Sequence, residues 1–384
     1  MALINYVTTI QFGFGSLETL AAECERNRIS RPLVVTDAGI RSAGLLDTLV
    51  RALAPLTPHV YDGTPANPNE AAVRAGVAAY RAANCDGVVA FGGGSSMDLA
   101  KGVALMATHE GPMRQYAAIE GGATKITSKV APIVAIPTTA GTGSEVSFGA
   151  VLIMDDGQKL GVVSAHLIPR TAICDPELTL KLPKGLTAAT GMDAIAHCIE
   201  AFLAPTFNPP ADGIALDGLE RAWAHIRVAV DSPGNREARL NMMSASMQGA
   251  LAFHKGLGCV HSLSHSLGGI DPRLHHGTLN AVLLPAVVLF NASALTVVSE
   301  RRMERLASAM GLGKTEDAAG AVADAIRQMC HSIGLPDGLR ALGVQPARYA
   351  DIARGALADR NHKTNPRAAS EEDYIALLEA SEYA

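Results

Sequence analysis

The chain has 384 residues, 48% hydrophobic and 18% charged, with a formal net charge of −5. That is enough for two domains or one large one with ample buried cores. The near-neutral balance and the lack of any Lys/Arg cluster exclude a nucleic-acid surface, and no run of about 18 apolar residues exists to span a membrane.

In chain order, the opening MALINYVTTIQFGFG lacks a basic start and a continuous apolar run, so no signal peptide is expected. Pro32 to Thr36 reads as a buried strand and Ser42 to Leu53 as a helix. His59 to Tyr61 is a short strand, and Asn69 to Ala83 an Ala-rich helix. Gly87 to Phe91 is a further strand, followed by Gly92-Gly93-Gly94 and a helix from Ser95 to about Ala107. Pro132 to Ile136 and Thr171 to Cys174 complete the β-branched runs. This alternation predicts a mostly parallel sheet covered by helices. After about Lys181 the strand-like runs stop and Ala/Leu/Met-rich helical segments continue to the end. The expected division is therefore an α/β domain over 1–180 and an all-helical domain over 181–384, packed around a cleft. Six scattered cysteines with no CxxC are expected as reduced, buried thiols in a cytoplasmic protein.

Two glycine-rich loops follow strands. In VVAFGGGSSMD, bare amides at a helix start favour a phosphate, although GGGS alone is also an ordinary tight turn. IPTTAGTGSE is dense in hydroxyls and glycines, and two such loops at the C-terminal ends of strands in one sheet point to a phosphate-bearing cofactor. Asp37 ends the strand Val34-Val35-Thr36. There it can accept ribose hydroxyls and repel a 2′-phosphate, which favours NAD over NADP, or it can simply cap a helix. In the second half, Asp193 and His197 are four residues apart, as are His261 and His265, and His275 and His276 precede Gly277. A four-residue step on a helix returns to the same face, so each pair can aim at one point. A carboxylate with several imidazoles suits a divalent metal such as iron or zinc.

GGGSSMDLAK, PTTAGTGSE, GMDAIAHCIEAF and VHSLSHSLGG…HHGTLNA, in this order, resemble the signatures of the iron-containing (group III) alcohol dehydrogenases. The resemblance spans nearly the whole chain, and FLAPTFNPPADGIALDGLERAW and FHKGLGCVHSLSH are similar to the branch that acts on 4-hydroxybutyrate. It implies an N-terminal Rossmann-like domain binding NAD and a C-terminal helical domain binding Fe(2+), with Zn(2+) as an alternative, in a dehydroquinate synthase-like fold. Matched position by position, the implied ligands are Asp193, His197, His261 and His276, with His265 as the neighbouring non-ligand histidine that relays a proton. The implied cofactor contacts are Asp37, Asn67, Gly94, Ser95, Asp98, Thr138, Thr139, Ser147 and Lys159, with Ser147 standing where the family often has Thr. Two further departures are Ser266, where a proline often follows the second histidine, and the doubled His275-His276 before the loop glycine.

The implied activity is hydride transfer between NAD(H) and a primary alcohol or aldehyde, with a homodimer as the expected assembly. The substrate wall maps near 254–257 and 361–363, where this chain has His254, Lys255, His362 and Lys363. Together these basic residues suggest an anchor for a carboxylate, making 4-hydroxybutyrate and succinate semialdehyde the leading substrate pair; for any single lysine a surface charge is the simpler reading. The competing readings are a general short-chain alcohol or diol dehydrogenase, a lyase of the dehydroquinate synthase type, and a metal-independent reductase. The intact ligand set speaks against the last, and the lyase needs a different metal set.

Overall fold

The structure is a computed structural model that describes residues 8–383, so the first seven residues of the opening segment discussed above lie outside the described residues. Among these the chain separates into two compact units. One holds the residues up to Thr139 together with Gly143–Leu180, and the other holds Ala140–Thr142 and everything from Lys181.

The first unit contains eight strands: β1 (Thr9–Phe12), β2 (Pro32–Val35), β3 (His59–Tyr61), β4 (Gly87–Gly92), β5 (Ile133–Pro137), β6 (Gly149–Ile153), β7 (Lys159–Val163) and β8 (Thr171–Cys174). Six form one sheet in the order β1-β8-β5-β4-β2-β3, every pair parallel, while β6 and β7 form a separate antiparallel hairpin. The central strands are continuous apolar runs because both faces are covered. Leu33, Val35, Val88, Ala90, Ile133 and Ala135 pack into one core with α4 (Glu70–Ala82) and α5 (Gly94–Met106). Their alternates Val34, Val89, Phe91, Val134 and Ile136 pack on the opposite face with α1 (Leu20–Arg26) and α3 (Leu45–Ala52).

Three differences from the expected elements have local causes. The single helix expected over 42–53 is two, α2 (Ala38–Ser42) and α3, because Gly44 takes φ +73° between them. Strand β1 is an edge strand of four residues, too short and too half-buried to show a pattern. The hairpin is not among the expected elements although Asp156-Gly157 is a turn signal, with Gly157 at φ +84°.

The second unit holds α6 (Lys184–Leu203), α7 (Pro209–Asp231), α8 (Arg236–Ala252), α9 (Cys259–Ile270), α10 (His276–Asn291), α11 (Leu295–Ser299), α12 (Arg302–Ala309), α13 (Ala318–Ser332), α14 (Tyr349–Ala358) and α15 (Glu371–Ala380). No strand occurs among its described residues. Helix α6 is buried on every side from Thr187 to Leu203, which marks a central helix rather than a surface one. Small residues let its neighbours close in. A Cβ on Gly191 would lie 2.8 Å from Ile226 of α7 and 2.9 Å from Met242 of α8, and one on Gly277 would collide with the Ala189 carbonyl oxygen. The α10 N-terminus therefore sits directly on α6, one turn before Asp193.

Candidate functional site

Three helices each contribute a pair of polar side chains four residues apart: Asp193 and His197 from α6, His261 and His265 from α9, and His276 and Asn280 from α10. Three of the imidazoles converge on one carboxylate oxygen. Asp193 Oδ1 is 3.8 Å from His197 Nε2, 3.7 Å from His261 Nε2 and 3.6 Å from His276 Nε2. Four ligands at about 2.1 Å from a shared centre stand roughly 3.4 Å apart in a tetrahedron. Asp193, His197 and His261 have ligand atoms within 4.8 Å of one another, and His276 joins them through its approach to Asp193. His275, the other candidate beside Gly277, is the exposed N-cap residue of α10, and His276 is the one that reaches the cluster.

Each ring is fixed through its other nitrogen. His197 Nδ1 lies 3.3 Å from the Gly141 carbonyl oxygen, His261 Nδ1 lies 2.5 Å from Glu200 Oε2, and His276 Nδ1 lies 3.3 Å from Ser264 Oγ. Partners on Nδ1 leave Nε2 as the lone-pair donor, which is the tautomer a metal ligand needs. Glu200 does more than orient His261. Its Oε1 accepts from Val260 N at 2.8 Å, capping the first turn of α9.

The electrostatics agree with a cation site. Asp193 is buried, which by itself raises a carboxyl, yet His197, His276 and His261 hold it well below the usual range. Burial lowers His197 to about 4. Burial also opposes charge on His261, but hydrogen bonds to Asp193 and Glu200 raise it to about 9, so its Nε2 keeps a proton against Asp193 that a metal would displace. Asn280 donates to Asp193 Oδ1 at 2.7 Å, while its own Oδ1 is buried without a partner among the described residues. The same Asn280 nitrogen lies 3.3 Å from His261 Nε2 and 3.1 Å from His276 Nε2, so it bridges the donor atoms that a bound cation would draw together. The cluster has one open side: Asp193 and His261 are 2% exposed in their side chains, His276 28% and His265 20%.

In the first unit, the strand order reverses between neighbours β2 and β4, the place where open parallel sheets bind nucleotides. Asp37 follows β2, the glycine turn follows β4, and Thr138 and Thr139 follow β5, all at the C-terminal edge. Gly92 takes φ +147°, and a Cβ there would strike Ser96 Oγ at 2.6 Å. A Cβ on Gly93 would meet the Thr139 side chain at 3.4 Å, so the two glycine loops are adjacent. Asp37 accepts from Ile40 N at 3.0 Å, capping α2, and from Ser96 Oγ at 2.9 Å. Gly94 starts α5, Ser95 donates to the Ala66 carbonyl at 2.5 Å, and Lys159 donates to Asn67 Oδ1 at 2.9 Å. The edge thus brings together most of the residues expected to hold the cofactor. The first-turn amides of α5 and the remaining lone pairs of the Asp37 carboxylate fit a dinucleotide.

Models of two family domains match the chain: iron-containing alcohol dehydrogenase over residues 7–176, and its C-terminal domain over 187–382. The 4-hydroxybutyrate dehydrogenase of Cupriavidus necator is 60% identical over 99% of this chain and 100% of its own length. Among solved structures, a 1,3-propanediol oxidoreductase is similar with a TM-score of 0.93 at 36% identity, covering 99% of this chain and 100% of that one. A sulfoacetaldehyde reductase from Bifidobacterium kashiwanohense in complex with NAD+ is similar with a TM-score of 0.89 at 30% identity, covering 100% and 99%. The chain belongs to the iron-containing alcohol dehydrogenase family. Its fold is the family's: a parallel α/β sheet plus a helical part.

Within this family member, three expected roles need revision or qualification. Lys255 is not an open anchor: its side chain is fully buried, and its ammonium pairs with Asp212 and donates to the Phe202 carbonyl at 3.2 Å. Arg302 shares the same carbonyl and carboxylate, so Lys255, Arg302 and Asp212 form an ionic triad between α7, α12 and the turn after α8. Asp98 and Ser147 are engaged within the protein. Asp98 accepts from Ser144 Oγ at 2.7 Å and Val151 N at 2.9 Å. Ser147 Oγ accepts from the buried Lys101 ammonium at 2.9 Å and donates towards the Gly149 carbonyl at 3.3 Å, so its hydroxyl is used inside the fold. Of the remaining wall residues, His254 is half-buried in the same turn as Lys255, His362 Nδ1 lies 3.0 Å from Tyr374 Oη, and Lys363 is exposed.

Sequence reasoning missed Glu200, Asn280, Asp359 and Lys101. Glu200 lies seven residues after Asp193 and Asn280 four after His276, so helical spacing alone could have flagged both. Lys101 is buried in α5 and ties Ser144, Ser147 and the Gly149 carbonyl together, partners more than forty residues away that no local pattern announces. Nothing in the sequence ties Asp359 to His265, 94 residues away, although its carboxylate is 2.9 Å from His265 Nδ1.

Proposed function

We propose that this chain is an NAD-linked, metal-dependent dehydrogenase that oxidises 4-hydroxybutyrate to succinate semialdehyde, with NADH and a proton as the other products, and runs the reverse reduction. The observation that carries the metal-dependent chemistry is the convergence of three imidazole Nε2 atoms on Asp193 Oδ1 at 3.6–3.8 Å. The substrate rests on the 60% identity to a 4-hydroxybutyrate dehydrogenase.

A divalent cation, iron by preference, supplies a Lewis acid for the alcohol or carbonyl oxygen. NAD supplies the hydride acceptor. Asp193, His197, His261 and His276 are the proposed ligands, held in register by Gly141, Glu200 and Ser264. His265, at the open side of the cluster, is the proposed carrier of the hydroxyl proton through Nε2. Asp37, Asn67, Gly94, Ser95, Thr138, Thr139 and Lys159 are the proposed cofactor contacts; Asp98 and Ser147 act from behind them, through Lys101. His362 and Lys363 are the proposed carboxylate anchor, and Lys255 is not. No described helix is long and apolar enough to cross a membrane. Six free cysteines suit a reducing cytoplasm, and the proposed homodimer is checked by light scattering.

The test compares kcat/KM for 4-hydroxybutyrate and 1-butanol. The wild type should prefer the acid, and Lys363→Ala should lose roughly tenfold on the acid alone. Lys255→Ala should destabilise the fold by about 1.5–3 kcal/mol, because it removes one buried charged partner of Asp212 while Arg302 keeps the other, without changing the preference. Equal rates on both substrates in the wild type would leave a general short-chain alcohol dehydrogenase.

A further inference from the structure

His265, like His261, is held by a carboxylate on its Nδ1. Its ring stacks on His276 with centroids 5.3 Å apart and meets His261 edge-on at 5.9 Å. Its Nδ1 faces Asp359 Oδ2 at 2.9 Å. Asp359 follows α14, and α14 is fastened to α9 one residue beyond His265: Ser266 Oγ donates to the Ile352 carbonyl at 2.8 Å. Gly355 makes that approach possible, since a Cβ there would collide with Ser266 Oγ. The serine that departs from the family's frequent proline is therefore the fastening point. The other Asp359 oxygen accepts from Asn361 N at 2.8 Å and caps the turn Arg360–Thr364, which carries His362 and Lys363.

We propose that Asp359 is the positioning residue for His265, accepting its Nδ1–H so that the neutral ring keeps Nε2 as the lone pair for the substrate's hydroxyl proton. The proposal rests on the reading of His265 as proton carrier. Asp359 takes no proton itself; it fixes tautomer and ring angle, and through its second oxygen ties them to the turn of the proposed carboxylate anchor.

The test is Asp359→Asn in the metal-loaded enzyme, alone and combined with His265→Ala. The amide can still cap the turn, but its NH2 group faces Nδ1 and favours the wrong tautomer. Expected is a fall in kcat of about a hundredfold, with KM for 4-hydroxybutyrate and metal content unchanged, and no further fall in the His265→Ala background. Asp359→Ala, which also loses the cap, should in addition raise KM for the acid. Wild-type kcat in Asp359→Asn, or an equal fold-loss with and without His265, would overturn the proposal. Full kcat in His265→Ala alone would instead fault the reading of His265.

Discussion

Asp193, His197 and Glu200 share one face of α6 because steps of four and three residues return to the same side of a helix. The first two are legible as a pair of metal-capable types; the same spacing reaches Glu200, but its carboxylate holds His261 rather than facing the cluster. Glu200→Gln keeps an acceptor for Val260 N but loses the charge beside His261 Nδ1. Metal affinity should fall about 10–100-fold, measured by competition with a chelator, while the helical signal is retained. Unchanged affinity would make Glu200 a cap and nothing more. Asp37 has a similar double duty, as cap of α2 and proposed ribose acceptor. Asp37→Asn preserves the cap, so a narrowing of the NAD over NADP preference by about tenfold in kcat/KM would isolate the effect of charge. An unchanged ratio would move the determinant elsewhere.

At the scale of elements, most of the parallel sheet is readable from the chain, since buried parallel strands leave continuous β-branched runs between helices. What escapes are short or two-sided pieces, β1 and the β6–β7 hairpin, and the break that Gly44 puts into an otherwise helical stretch. Burial is the least readable property. Lys255 looks like an open charge in the sequence because nothing local announces Asp212 or Arg302, which come from α7 and α12. Helix packing also positions a proposed ligand: Gly277 seats α10 on the Ala189 carbonyl, beside His276. In Gly277→Ala the added methyl has no room, so the helices must part. About 1–3 kcal/mol of stability should be lost, and metal content should drop with it as His276 moves away from Asp193. Normal Tm and full metal in that variant would show that the contact relaxes without moving the ligand.

For the whole molecule, the proposed cofactor residues lie in one unit and the proposed metal ligands come from helices of the other. The sheet edge gathers Asp37, the glycine turn and Thr139; the helices gather three Nε2 atoms about one carboxylate oxygen. In the proposed mechanism this second cluster holds the cation on which turnover depends. The direct measurement is to strip the protein with a chelator, then titrate Fe(2+) back while following bound metal and NADH formation from 4-hydroxybutyrate. Activity should be absent in the stripped protein and rise in proportion to occupancy, saturating at about one metal per chain. Full NAD-linked turnover in protein shown to be metal-free would contradict it.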